Sequence, residues 1–168
     1  MDRQQIDDFI ALSGKYLAIE TPHNMANHSG TSHCDSLYKT EIRRDDRFLG
    51  VYMMVRCSHA SLPEYQIALG GPKRPFWVVS YNPYGGYRGH VARPGGTPTI
   101  GKIEGSVYYS WEDNRDSYDD LSIQWQLSVA RPLPEELTSY MSVVCWLCKQ
   151  TGIAVPSSGT VFRPRGIR

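Results

Sequence analysis

LSIQWQLSV, residues 121–129, carries the pattern from which the expected fold is built. Leu121, Ile123, Trp125, Leu127 and Val129 alternate without a break against Ser122, Gln124, Gln126 and Ser128. Successive side chains of a strand point to opposite faces, so one face of this strand meets a core and the other meets water or a polar partner. That pattern belongs to an antiparallel sheet covered on one side.

The same period of two recurs on the N-terminal side. Val107, Tyr109 and Trp111 mark a strand, and 112–120, EDNRDSYDD, reads as its polar hairpin connection to 121–129. Pro75 to Tyr81 is another strand, with Phe76 and Val78 facing one way and Trp77, Val79 and Tyr81 the other. Tyr65, Ile67 and Leu69 alternate before the turn Gly70-Gly71-Pro72. The run Leu49 to Cys57 places Val51, Met53, Val55 and Cys57 on one side.

Helical periods flank these strands. Ile6, Phe9, Ile10, Tyr16 and Leu17 share one face of a helix predicted over 3–19, with Asp2 as N-cap and Lys15 off the face. A C-terminal helix is predicted to open at Pro134, with Leu137, Tyr140, Met141, Val144, Leu147 and Cys148 as its apolar stripe and Gly152 closing it. Residues 22–36, PHNMANHSGTSHCDS, read as a loop. The expected architecture is α+β: a single antiparallel β-sheet of about five strands, with an N-terminal and a C-terminal helix packed on one face. Residues 1–155 are read as one domain and 156–168 as a basic tail carrying Arg163, Arg165 and Arg168.

Composition narrows the function classes. The 168 residues can bury a core without disulfide staples, and a net charge of +1 gives no global attraction to nucleic acid or membrane. There is no run of membrane-spanning length and no secretory leader in MDRQQIDDFI, which predicts a cytoplasmic protein with reduced thiols. Eleven Tyr and four Trp point to a β-rich body with wide contact surfaces.

The strongest local signal is the window from Tyr65 to Ile103, which contains no Asp or Glu and holds Lys73, Arg74, Arg88, His90, Arg93 and Lys102. Within it the glycine-rich loop after Tyr81 sets Tyr81, Tyr84 and Tyr87 beside Arg88, His90 and Arg93. Aromatic faces stack on bases, glycines let backbone N–H groups approach an anion, and the cations supply charge-assisted donors. This combination predicts a binding protein for an anionic small molecule, a nucleotide or a phosphorylated metabolite, with a sequestering or inhibitor role and single-stranded nucleic acid as a further candidate. No Walker or dinucleotide fingerprint is present. The bland alternative is a long hairpin loop whose tyrosines pack on the sheet and whose arginines are solvated.

Other constellations are thinner. His59-Ala60-Ser61 has half of the paired H-x-[ST] signature of two-histidine phosphodiesterases, and His90-Val91-Ala92 lacks the second hydroxyl, so His59 and His90 make a phosphodiesterase or hydrolase the enzyme alternative. His28 and His33, with His23 and Cys34 nearby, are metal-ligand types at spacings that match no zinc motif, and no cofactor is expected. Cys145 and Cys148 have C-x-x-C spacing near the end of a helix rather than its start, so core packing explains them better than redox chemistry. The acids Glu112, Asp113, Asp116, Asp119 and Asp120 lack the EF-hand order and read as a solvated tip. A third class is a protein–protein module, meeting a partner through the polar face Ser122, Gln124, Gln126 and Ser128 or an aromatic patch around Trp77.

Pro75, Trp77, Tyr81 and Gly85, in RPFWVVSYNPYGG, form a strand of the type P-x-W-x-x-x-Y ending in a glycine turn. This resembles a group of small uncharacterised bacterial domains. The resemblance implies an α+β fold and carries no functional residue to this chain.

Overall fold

The computed structural model describes residues 1–18, 23–25, 35–58, 64–72, 74–83, 91–92, 101–103, 105–118, 127 and 129–155. Its first element is helix α1 (Arg3–Ala11), which starts as the sequence predicts. The Asp2 carboxylate accepts from Gln5 N–H and the Gln5 side chain accepts from Asp2 N–H, a reciprocal capping box. The helix stops well short of residue 19. Gly14 adopts φ +73°, which breaks the helical path, and Lys15–Leu17 becomes strand β1. Tyr16 and Leu17 therefore alternate across a sheet instead of sharing a helix face.

The remaining elements, in chain order, are β2 (His23–Met25), β3 (Asp35–Arg44), β4 (Arg47–Ser58), β5 (Glu64–Gly70), β6 (Pro75–Tyr81), β7 (Val91–Ala92), β8 (Gly101–Lys102), β9 (Val107–Tyr109), helix α2 (Trp111–Asn114), a 3-10 turn (Arg115–Ser117), β10 (Arg131–Pro132), α3 (Tyr140–Gln150) and β11 (Ile153–Ala154). Among the described residues, nine strands form one sheet in the order β10-β9-β6-β5-β4-β3-β1-β11, with β2 also paired to β3. β7 and β8 pair separately. The fold class is α+β, with more strands than the five expected.

Two of the added strands lie where the sequence pattern predicts a loop or no element. β2 and the start of β3 fall within 22–36, and β3 runs antiparallel to β4 with Tyr38 opposite Val55 and Thr40 opposite Met53. The β3–β4 turn is a two-residue hairpin at Asp45 and Asp46, both at positive φ (47° and 60°), the left-handed pair that a type I′ turn requires. Asp-Asp is not the usual Asn-Gly signature of that turn, which hides the hairpin in the sequence. The sheet is also mixed: β1 pairs in parallel with β11, Lys15 opposite Ile153, and antiparallel with β3.

Both long helices contribute to one core, as expected. Ile6 and Phe9 of α1 and Val143, Val144, Leu147 and Cys148 of α3 join Val51, Val55, Ile67, Leu69 and Val79 in a single apolar cluster. Phe76 and Trp77 do not face opposite ways. The register shifts between Leu69 and Gly70, and Phe76 packs on Phe9 and Trp111 while Trp77 packs on Trp146 of α3. The second face of the sheet is buried as well at Val78, Ser80 and Val107.

Three further boundaries differ from the sequence pattern. α3 begins at Tyr140, where Ser139 and Ser142 form a capping box; Pro134 starts a turn instead, its carbonyl accepting from Leu137 N–H at 3.1 Å. Trp111 opens α2, capped by Ser110, so 111–117 is helical rather than the expected hairpin tip. Leu121–Gln126 and Ser128 lie outside the described residues. Leu127 packs against the core, and Val129 belongs to no strand. Among the described residues no helix is long and apolar enough to cross a membrane.

Candidate functional site

β6 delivers the chain into the basic, glycine-rich segment. All of Phe76 to Tyr81 is buried, so the strand gives that segment a rigid base. At its end the Ser106 hydroxyl accepts from Asn82 N–H at 2.9 Å, closing the segment between β6 and β9. Within that segment β7 and β8 pair antiparallel, Val91 opposite Lys102 and Ala92 opposite Gly101. Residues 91–92 and 101–102, both inside the acid-free window, thus lie side by side.

The predicted site residues fare differently. Tyr81 is only 4% exposed, and its ring stacks on Tyr65 at 6.2 Å within the core. In this arrangement it is a core residue and not an exposed stacking face. Tyr84, Tyr87, Arg88, His90 and Arg93 lie outside the described residues, as do His59, His28 and His33. Arg74, from the same basic window, serves the fold: it lies 3.6 Å over the Tyr118 ring and donates to the Tyr118 carbonyl. No group of three His, Cys, Asp or Glu able to hold a metal occurs among the described residues.

A second feature lies on the helix side of the sheet. Trp77 (3% exposed) stacks on Tyr108 at 5.9 Å, and Trp146 meets both edge-on, at 5.9 Å and 5.0 Å. The Trp77 Nε1 is buried with no hydrogen-bond partner among the described residues. Tyr108 and Trp146 are half-buried, so the cluster reaches the surface. Burial is the main cause that raises the Tyr108 hydroxyl pKa, against the nearby Arg131 guanidinium, which lowers it. Arg131, opposite Tyr108 in the β9–β10 ladder, donates from Nε to Asp113 Oδ2 at 2.6 Å and from a terminal nitrogen to Oδ1. That paired guanidinium holds the Asp113 carboxyl below the usual carboxylate range. Asp113 is therefore an ion-pair partner, not part of a solvated acidic tip.

The periodicity of Val107, Tyr109 and Trp111 points away from Tyr108, and Trp146 lies off the predicted apolar stripe of α3. The sequence names Trp77 as the centre of an aromatic patch, but Tyr108 and Trp146 are legible in it only as part of the excess of Tyr and Trp. Core packing, expected of the C-x-x-C pair, holds for Cys148, which is buried as Cys57 is, but not for Cys145, which is exposed. Burial pushes the Cys148 thiol up to about 12, which makes it inert at neutral pH. No protein-family model matches the chain, and no curated protein or solved structure does either.

Proposed function

We propose that this chain is a small binding protein for an anionic ligand, a nucleotide or a phosphorylated small molecule, taken up by the segment between β6 and β9. The observation that carries the reading is the β7–β8 pairing. It sets Lys102 across from Val91, the residue next to His90 and two before Arg93, inside a window without a single carboxylate. Setting two stretches of such a window side by side concentrates positive charge with no acid to neutralise it, which favours phosphate. Arg88 and Arg93 are the proposed phosphate donors, and Tyr84 and Tyr87 the proposed stacking rings. Tyr81 is omitted because its ring is in the core. A sequestering role fits a domain of this size.

Denaturing mass spectrometry of the purified protein, followed by calorimetric titration with mono-, di- and cyclic nucleotides, tests the reading. Binding should weaken at least tenfold in Arg88→Ala/Arg93→Ala while the fold is retained. Absence of heat with every nucleotide, together with no salt-sensitive oligonucleotide binding, sinks it. Turnover of a cyclic nucleotide would instead favour the phosphodiesterase alternative.

A second reading rests on the aromatic cluster. Half-buried Tyr108 and Trp146 around Trp77, with Arg131 at the rim, have the residue types of a protein-binding hot spot. A stoichiometric protein recovered by pull-down, and lost with Trp146→Ala, would select this reading over nucleotide binding.

A further inference from the structure

Lys15 is the one charged side chain that is fully buried among the described residues, with 0% exposure. Because β1 replaces the end of the expected helix, Lys15 points under α1 instead of into water. Its Nζ donates to the carbonyls of Phe9 at 2.7 Å and Ile10 at 3.0 Å, in the last turn of α1, and lies 4.7 Å from the centre of the Phe9 ring. On the β11 side, a side chain at Gly152 would start 3.6 Å from the same nitrogen. Arg44, packed by Gly14, is paired with Asp45.

Among the described residues no carboxylate pairs with this ammonium. Burial is the sole cause that lowers its pKa, to about 8, and no charged group of α1, β3 or β11 contributes. What compensates the charge is the negative end of α1, through its last carbonyls and its dipole. The helix that buries the charge is also the helix that satisfies it.

We propose that α1 is a releasable element of this fold and that Lys15 is its proton-linked latch. Undocking α1 returns the ammonium to water and uncovers Phe76, on which Phe9 packs, and Trp111, whose Nε1 donates to Asp7 at 2.8 Å. Docking is weakened while Lys15 must be buried charged. The undocked lysine has its ordinary value of 10.5 and the docked one about 8. Between those values the undocked state binds more protons, so docking strengthens as pH rises from 8 toward 10.5. The second tether, Asp7 with Arg115 and Trp111, stays fully charged over that range and adds no slope, because Asp7 is shifted down and Arg115 up.

Hydrogen exchange of the full chain, expressed as protection factors at pH 7 and pH 9.5, tests the latch. Protection of α1 amides should rise roughly 25-fold relative to β4 and β5 amides, the ratio linkage gives for these two values. Lys15→Met should abolish the rise and give high α1 protection at both pH values. Asp7→Asn should lower α1 protection at both while keeping the slope. A flat wild-type profile overturns the proposal. So does a rise shared equally by β4 and β5, which would place the proton in global unfolding. The wild-type comparison decides the matter even if Lys15→Met does not fold.

Discussion

Replacing Asn114 by Ala should destabilise this protein more than any other single polar truncation among its described residues. The side chain is 1% exposed and makes three hydrogen bonds. Its Nδ2 donates to the carbonyls of Ser110 at 2.9 Å and Val129 at 3.0 Å, and its Oδ1 accepts from Val129 N–H at 2.8 Å. One amide side chain thereby satisfies both backbone groups of Val129, as a neighbouring strand would. Each bond contributes about 1 kcal/mol net, and the Ser110 bond is fully buried, so the total loss should be about 3 kcal/mol. That is a large share of the ~5–15 kcal/mol that holds a domain together. It should lower Tm by about 6–12 °C for a chain of this length. Urea unfolding followed by circular dichroism and tryptophan fluorescence measures it. Asn114→Asp separates hydrogen bonding from volume. It keeps the shape, but a carboxylate oxygen would face two carbonyl oxygens, so this variant should be at least as unstable at pH 7 and recover partly as acid restores a donor. A loss below about 1 kcal/mol in Asn114→Ala, or a harmless Asn114→Asp, would show that these three bonds do not hold the 110–129 region in place.

Further outcomes can be checked with the same unfolding assays. Gly70→Ala should be strongly destabilising, because a Cβ there would sit 2.5 Å from the Pro75 Cα and 2.6 Å from the Arg74 carbonyl oxygen, both backbone atoms that must shift. Gly50→Ala should lose only about 1–2 kcal/mol, since φ is +75° but nothing lies within 4 Å of the new methyl. Asp7 titrates below the usual carboxylate value because Arg115 hydrogen-bonds it, with Trp111 also donating. Its stabilisation is present above the unfolded value and lost as pH falls through the folded one. An acid titration should therefore show a shallower loss of stability in Asp7→Asn than in the wild type.

Local periodicity was enough to place much of the core. Alternation in 51–57, 65–69 and 77–81 put the right side chains inside, though it set Phe76 on the wrong face, and the 3.6-residue period set α1 and α3 against one sheet. The anion-site reading also came from sequence, since an acid-free window is visible without coordinates. Local pattern could not carry the competition between distant segments. Tyr16 and Leu17 fit a helix face as well as a strand, and pairing with β3 and β11, residues 42–43 and 153–154, decided for the strand. Once it did, Lys15 turned inward under α1, a position that no hydrophobic pattern assigns to lysine. The Asp45-Asp46 turn was hidden for a related reason: its left-handed backbone is imposed by two strands zipping together, not by the residues themselves. Trp77 shows both levels at once. Alternation put it on a buried face, and only the pairing of β6 with β9, which sets Tyr108 opposite Val79, together with α3 packed above, joined it to Tyr108 and Trp146.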